Sequence, residues 1–400
     1  MKIPGIFLLC LIPVLSGFSQ VLSNQNSVVN GPRLINPADY ETVRASKIVK
    51  AIRIQEKITL DGRLEEPVWK LALPATDFVE QQPHVGEISP ERTEVRFLYD
   101  DDNLYVGAFL YDSGAPVVTS ITYDFQSGES DNVNIVIDSL YDRRSGFSFT
   151  TNPAGGKRDQ QISNDGQANL DWTGVWDVRS SVNSEGWTTE FLIPFKTLRF
   201  SKSGSQEWGL NIGRRSMRTK ENSQWSPVPL RYSQFRISLE GTLTGLENIR
   251  QGRNLKIKPF VTAGILQSRR ADGRLETLES LSKRNGYYGG VDLKYSLTPS
   301  VTLDATYRTD FAQVEVDQQQ VNLTRFSLFF PEKRDFFLEN VGNFSFGTGV
   351  GFRQGQANLV PFFSRRIGLS AAGTPIPILG GARFGESESV RLRLSGNENG

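Results

Sequence analysis

The sequence is poor in the residues that much protein chemistry uses. Its 400 residues include one histidine, His84, and one cysteine, Cys10. These counts exclude a metal site with two histidines, a cysteine-based zinc site and a disulfide framework within the chain. The chain also lacks an excess of positive or negative charge, because 45 Lys and Arg balance 44 Asp and Glu and the net charge is +1. This balance argues against nucleic acid as the partner. We expect His84 to be a solvated loop residue.

Long hydrophobic runs are missing as well. The apolar stretch over residues 6–15 follows Lys2, contains Pro13 and is too short to span a bilayer. With the small residues that follow it, this stretch predicts a signal peptide over residues 1–19, and therefore export. Residues 20–50 have little periodicity and are predicted to form a linker.

Amphipathic helices longer than two turns are not apparent in residues 51–247. This segment consists of short apolar stretches broken by Gly, Asp, Asn and Pro, with alternation such as Val133, Ile135 and Ile137 between polar residues. Such a pattern predicts a β-sandwich with one core-facing side to each strand. The predicted fold class is therefore all-β.

Longer alternating strands follow in residues 254–400. Val291, Leu293 and Tyr295 interleave with polar residues, and the next strand continues the pattern after a turn. Strands of this length, with one apolar and one charged face, approach the roughly 9–11 residues that cross an outer membrane. We expect antiparallel strands of an outer-membrane β-barrel, incomplete because too few strands follow residue 254, in a chain that is the front part of a longer protein. A soluble sandwich edge is the alternative for a single hairpin.

Four motifs resemble one known family. They are Ile58–Trp69, Val95–Gly107, Asp131–Asp138 and Gly186–Phe195. Their order and spacing resemble family 9 carbohydrate-binding modules, which implies a β-sandwich that binds oligo- or polysaccharide.

A second resemblance involves Asp304–Asp317, Val321–Phe326, Phe329–Asn340 and Phe363–Gly368. These motifs look like the uncharacterised outer-membrane domain that follows family-9-like modules in Gram-negative bacteria. The resemblance implies a location in the cell outer membrane, with lipid as a contact and the sandwich either periplasmic or exposed at the surface.

The candidate sugar-binding residues combine flat aromatic faces with planar polar groups, as recognition of a sugar ring requires. Trp172 and Trp176 lie in a polar, glycine-containing stretch, close in sequence to Asn152 and Asp159, and Arg215 is a further candidate. The alternative is that Trp172 or Trp176 packs into the sandwich core, and that Arg215 belongs to a solvated strand face.

Modules of the resembled family can bind calcium, which prefers oxygen ligands in turns. The candidate ligands are Asp61, Glu65, Asp100 and Asp102. The spacing of an EF-hand is absent, and solvated acidic turns are the alternative.

The sequence therefore predicts carbohydrate binding at the bacterial envelope, with a link to polysaccharide catabolism. The first alternative is a structural or transport barrel whose sandwich is a plug or docking module, with an envelope protein as partner. The second is a glycoside hydrolase acting on O-glycosyl bonds, because Asp131, Asp138, Asp159, Asp171 and Glu190 offer many carboxylate pairs. None of these pairs has diagnostic spacing, so we do not expect an enzyme.

Overall fold

The protein is described by a computed structural model. The described residues are 34–170, 172–201, 204–250, 255–263, 267–269, 275–277, 287–296, 301–308, 367, 378–386 and 390–396. The predicted signal peptide, Asp171 and most of the second set of motifs lie outside these residues. Of the predicted linker, residues 34–50 are described, and they contain a helix α1, Tyr40–Ser46, in which Tyr40 is buried. They are thus part of the folded unit.

The first fourteen strands belong to the predicted sandwich region. They are β1 Ile48–Lys50, β2 Ile52–Arg53, β3 Val79–Gln82, β4 Thr93–Tyr99, β5 Asn103–Tyr111, β6 Asn132–Asp138, β7 Gly146–Thr151, β8 Lys157–Ser163, β9 Gln167–Asn169, β10 Asp177–Asn183, β11 Gly186–Pro194, β12 Ser205–Ser216, β13 Glu221–Gln224 and β14 Gly241–Glu247. Short 3-10 helices are Pro37–Asp39, Pro67–Leu71, Phe195–Thr197 and Ile237–Leu239.

These strands form two sheets. The larger has nine strands in the order β1-β14-β12-β6-β7-β8-β9, with β13 paired to β12 and to β3. The smaller has five strands in the order β10-β11-β5-β4-β2. Most neighbours are antiparallel, but β1 runs parallel to β14 and β2 runs parallel to β4. The all-β prediction is confirmed.

The main core lies between the two sheets. Alternate residues of β6 and β12 face alternate residues of β4, β5 and β11, and all are buried. The central members are Val133, Ile135, Ile137, Leu210, Ile212, Val95, Phe97, Val106, Phe191 and Ile193. Burying each such side chain contributes about 1.5–3 kcal/mol, so this layer is the main source of stability.

The segment before β3 covers part of the outer side of the smaller sheet. Trp69, which is 2% exposed, packs there with Leu98 and Tyr105. Gly107 on β5 makes this close approach feasible, because a Cβ atom at that position would lie 2.7 Å from side-chain atoms of Leu64 and Trp69. The sequence motif ending in Trp69 therefore packs on the outer side of the smaller sheet and covers part of it.

The remaining described strands follow the sandwich. They are β15 Leu255–Ala263, β16 Gln267–Arg269, β17 Leu275–Thr277, β18 Tyr287–Ser296, β19 Val301–Tyr307, β20 Ile378–Glu386 and β21 Val390–Gly396. Five form an antiparallel sheet in the order β15-β18-β19-β20-β21, and β16 and β17 form a hairpin.

The two faces of this five-stranded sheet differ in polarity. Leu255, Ile257 and Val261 on β15 are 53%, 57% and 80% exposed. On the other face Arg383 Nη2 donates to Asp304 Oδ2 at 2.7 Å, and both side chains are buried. The predicted alternation of apolar and charged residues is thus present in the strands, while closure into a barrel stays a prediction. Within the described part of the chain, no helix has the length and apolar character needed to span a membrane.

Candidate functional site

Trp176 lies inside the sandwich. It is 4% exposed, its ring stacks on Phe191 with 5.9 Å between centroids, and it meets Phe149 edge-on at 5.3 Å. A sugar stacks only on an aromatic face that is open to solvent. In this structure Trp176 therefore packs the core, which is the alternative that the sequence left open.

Trp172 is half-buried. Its ring tilts against Phe147 at 4.9 Å and meets Phe149 at 6.2 Å. A Cβ atom on Gly174 would lie 2.7 Å from this ring, so the loop passes close beside it. Much of Trp172 is covered by the core, and its contact with sugar stays a prediction.

Asp159 is fully buried below these tryptophans. Its carboxylate accepts hydrogen bonds from Tyr123 Oη at 2.5 Å, from the Gly174 N–H at 2.6 Å and from Trp176 Nε1 at 3.1 Å. Burial, and then the hydrogen bond to Asp159, raise the pKa of Tyr123. These three hydrogen bonds attach the buried carboxylate to the loop that carries both tryptophans.

Asn152 has a similar structural role in the turn between β7 and β8. Its side chain is fully buried. Its Oδ1 accepts the N–H groups of Ala154 and Gly156 at 3.1 and 2.9 Å, and its Nδ2 donates to the Ser120 carbonyl at 2.6 Å. The amide thus stabilises its own turn, and sugar contact by Asn152 and by Asp159 stays a prediction.

Arg215 is separated from these four residues. It lies on β12 with its side chain exposed. Its neighbours in the strand, Arg214 and Ser216, are buried. Since Leu210 and Ile212 point into the core, the alternation along β12 places Arg215 on the outer face of the nine-stranded sheet.

This outer face is rich in amides. Asn132 and Asn134 of β6 pair in register with Arg215 and Gly213 of β12, and these in turn pair with Asn222 and Gln224 of β13. Register partners point to the same side of a sheet. We call Asn132, Asn134, Arg215, Asn222 and Gln224, together with the nearby Gln81 and Gln234, the amide face.

Asn134 has an unsatisfied acceptor at the centre of the amide face. Its Nδ2 donates to Ser148 Oγ and Thr150 Oγ1 at 3.0 and 2.9 Å. Its Oδ1 is buried and has no hydrogen-bond partner among the described residues. Gly213 beside it has no side chain, and the Gln224 amide lies 3.1 Å from where a Cβ of Gly213 would be. A buried acceptor without a donor is costly, so Asn134 carries a local energetic cost at the centre of the amide face.

The amides on β13 are joined by long hydrogen bonds. Asn222 Nδ2 donates to Gln81 Oε1 at 3.3 Å, and Gln224 Nε2 donates to the side-chain oxygens of Asn222 and Gln234 at 3.4 Å each. Bonds between nitrogen and oxygen are most often near 2.9–3.0 Å, so these three are weak. Ligand hydroxyls can replace them at little cost.

The chemistry of the amide face suits polyols. Planar amides and a guanidinium group offer donors and acceptors together, as paired sugar hydroxyls need. Solvent exposure decreases along the face: Arg215 is exposed, Asn222 is half-buried and Gln224 is buried. Solvent therefore reaches the face at the Arg215 end. The sequence indicated Arg215 but not the amides, although the polar residues alternating with Val133 and Ile135 were the signal that could have located them.

The predicted calcium ligands do not form one site. Asp100 accepts hydrogen bonds from the N–H groups of Asp102 and Asn103, from Asn103 Nδ2 and from Tyr105 Oη. Burial raises the pKa of Asp100, but these bonds outweigh it and the net shift is downward. Asp100 is therefore already satisfied by its own turn.

The other predicted ligands are similarly occupied or dispersed. Asp61 Oδ1 accepts the Arg63 N–H at 2.8 Å, and Arg63 lies 3.8 Å from the Glu65 carboxylate. Among the described residues, Asp61, Glu65, Asp100 and Asp102 form no group of three whose ligand atoms approach within 4.8 Å. The donor set expected for calcium is not assembled at these turns.

Several buried carboxyl groups have raised pKa values. Burial raises the pKa of Glu190 to about 7 and that of Asp138 to about 6. Burial also raises the pKa of Glu240, and the neighbouring charge of Asp138 adds to this rise. Among the described carboxyls considered for hydrolysis, Asp131, Asp138, Asp159 and Glu190 each accept hydrogen bonds from nearby donors, for example Asp131 from the N–H groups of Val117 and Met217. These groups stabilise loops in this structure.

Family comparisons agree with the first resemblance. The carbohydrate family 9 binding domain-like family matches residues 60–223. A domain of unknown function (DUF5916) matches residues 218–380. Residues 60–223 thus form a domain similar to family 9 carbohydrate-binding domains, and the second match includes the whole of the second set of motifs, residues 304–368. Among curated proteins, none matches the chain.

Solved structures are similar to half of the chain. A family 9 carbohydrate-binding module from Caldicellulosiruptor kristjanssonii, in complex with glucose, is 14% identical with a TM-score of 0.37, over 50% of this chain and 96% of that chain. The structure of that module with cellotriose is 14% identical with a TM-score of 0.35, and the match again covers 50% of this chain and 96% of that chain. A candidate carbohydrate-binding protein from Bacteroides uniformis ATCC 8492 is 16% identical with a TM-score of 0.41, and the match covers 50% of this chain and 99% of that chain.

Proposed function

We propose that this protein binds oligo- or polysaccharide through the amide face at the outer membrane of a bacterial envelope. The observation that carries the proposal is the match of residues 60–223 to a carbohydrate-binding family, in a domain whose outer sheet face is rich in amides. The exposed Arg215 and the half-buried Asn222 supply donors and an acceptor for sugar hydroxyls. A contribution to polysaccharide catabolism would follow from capture of the polymer next to the cell.

The membrane location is supported by the second sheet. Exposed apolar side chains on β15 alternate with lysines, and a buried ion pair lies on the charged face of β19 and β20. An apolar face in contact with lipid and a charged interior are the features of strands in an outer-membrane barrel. The predicted signal peptide supplies the export route.

A second candidate function is docking of the sandwich against these strands. Arg199 follows the Phe195–Thr197 helix, and burial lowers its pKa to about 10 in an environment that includes Asp304 and Arg383. The sandwich therefore contributes a cation close to the charged face of the strand sheet. In a docking role this contact, and not the amide face, would be the functional feature.

Titration calorimetry of the purified chain with cello- and xylo-oligosaccharides separates the two functions. We expect binding that falls at least tenfold in Arg215→Ala and in Asn222→Ala. Arg179→Ala is the matched control, because Arg179 is an exposed arginine on the other sheet, paired with Asp177 at 2.9 Å. Equal affinity in all three variants would remove the amide face as the site, and absence of heat with every sugar would favour docking.

A further inference from the structure

The hairpin after β3 brings together three groups that bind metals. They are Glu80, His84 and Glu87, and one ligand atom from each lies within 4.8 Å of the other two. Within the described part of the chain, no other set of three His, Cys, Asp or Glu has this spacing. His84 is also the only histidine of the whole chain.

Backbone hydrogen bonds hold the three residues in place. The Glu80 N–H donates to the Glu87 carbonyl at 2.7 Å, the Gly86 N–H to the Glu80 carbonyl at 2.9 Å and the Glu87 N–H to the His84 carbonyl at 3.1 Å. Gly86 has a φ of +88° and packs against the Ile35 carbonyl, where a side chain would clash. The turn is therefore built in one conformation before any ligand arrives.

Glu80 supplies a buried anion at the base of this turn. It is 2% exposed, and its Oε2 lies 3.1 Å from the His84 N–H and 3.2 Å from His84 Nδ1. His84 is its one ion-pair partner among the described residues. The surroundings of Glu80 thus favour a cation.

We propose that Glu80, His84 and Glu87 bind a zinc ion. Ligands about 2.1 Å from a tetrahedral Zn²⁺ lie about 3.4 Å from each other. The Glu80 to His84 pair already has this separation, and His84 and Glu87 are exposed and half-buried, so their side chains can rotate to complete the set. The ion would lie between His84 Nδ1 and the Glu80 carboxylate, and water would fill the fourth position.

The donor set selects the metal. One imidazole nitrogen with two carboxylates suits Zn²⁺, whereas Ca²⁺ takes six to eight oxygen ligands and has little affinity for imidazole. The site is distinct from the amide face, but β3 also carries Gln81, which is hydrogen-bonded to Asn222. Zinc bound at the end of β3 would therefore stabilise the position of Gln81 at that edge of the amide face.

The test uses the full chain purified without a polyhistidine tag and titrated with Zn²⁺ in a calorimeter. We expect one zinc per chain, an increase in melting temperature on binding, and no comparable heat with Ca²⁺. X-ray absorption at the zinc edge should show the scattering of one imidazole. Because the chain has a single histidine, this signature assigns the ion to His84.

Two variants decide the outcome, and neither changes a fully buried side chain. His84→Ala and Glu87→Gln should each weaken zinc binding at least tenfold, and His84→Ala should abolish the imidazole signature. Glu65→Gln, which removes an exposed carboxylate elsewhere, should bind as the wild type does. Equal zinc affinity in wild type and His84→Ala, or zinc bound without imidazole, would overturn the proposal.

Discussion

Replacing Glu190 with glutamine should change how the stability of this protein depends on pH. Glu190 on β11 is fully buried. Its Oε2 accepts the N–H groups of Asp61 and Gly62 at 2.9 and 2.8 Å, and its Oε1 accepts Trp69 Nε1 at 3.2 Å. The carboxyl group therefore fixes both the turn and the tryptophan of the segment that covers the smaller sheet.

The size and sign of the effect follow from the pKa of Glu190. Burial raises this pKa from 4.5 to about 7, so between these pH values the folded protein holds a proton that the unfolded chain releases. The stabilisation is fully present below pH 4.5 and is lost as the pH rises to about 7. At 1.36 kcal/mol per pH unit, the loss is about 3 kcal/mol.

Glu190→Gln keeps the side chain neutral at every pH, but its amide N–H₂ group would face one of the N–H donors from which Glu190 accepts a hydrogen bond. Loss of one hydrogen bond costs about 1 kcal/mol, so the variant should be less stable than the wild type by this amount at acid pH. Above the raised pKa the wild type carries its buried charge, and the variant should then be more stable by about 2 kcal/mol.

Urea unfolding of both proteins between pH 4.5 and 8, followed by tryptophan fluorescence, measures this difference. Taking the difference between variant and wild type cancels the titration of Asp138 and Glu240, which is common to both. Glu65→Gln is the control and should show no pH-dependent difference, since Glu65 is exposed. A Glu190→Gln difference that is constant across this range would refute the reasoning.

Two further changes test the packing roles assigned here. Trp176→Ala should lower the free energy of unfolding by about 3–5 kcal/mol, measured by thermal unfolding, because a core ring is lost; unchanged stability with reduced sugar affinity would contradict this. Arg214→Met should cost about 1–3 kcal/mol in the same assay, because Arg214 is 2% exposed, donates to the Tyr111 carbonyl at 2.6 Å and lies 3.7 Å from the buried Asp112 carboxylate, which keeps Arg218 at 2.7 Å. A change under 1 kcal/mol would show that Asp112 does not need this cation.

Much of the fold follows from local pattern. Alternation in β6 and in β18 and β19 predicted strands, and short apolar runs between turn residues predicted a sandwich, because side chains alternate between the two sides of a strand. The family resemblance was carried by similarly local motifs. The exception is residues 34–50, whose parallel pairing with β14 joins positions almost two hundred residues apart and leaves no local signal.

The candidate site depended on tertiary structure instead. The residues next to Trp176 in the sequence are typical of a polar loop, yet its ring points inward and stacks on Phe191. The amide face combines residues from β3, β6, β12 and β13, and His84 meets Glu80 only because the hairpin folds back. Alternation along a strand determines that two sets of residues face opposite ways. Which of the two faces is covered, and what lies beside it, depends on how distant strands pair and pack.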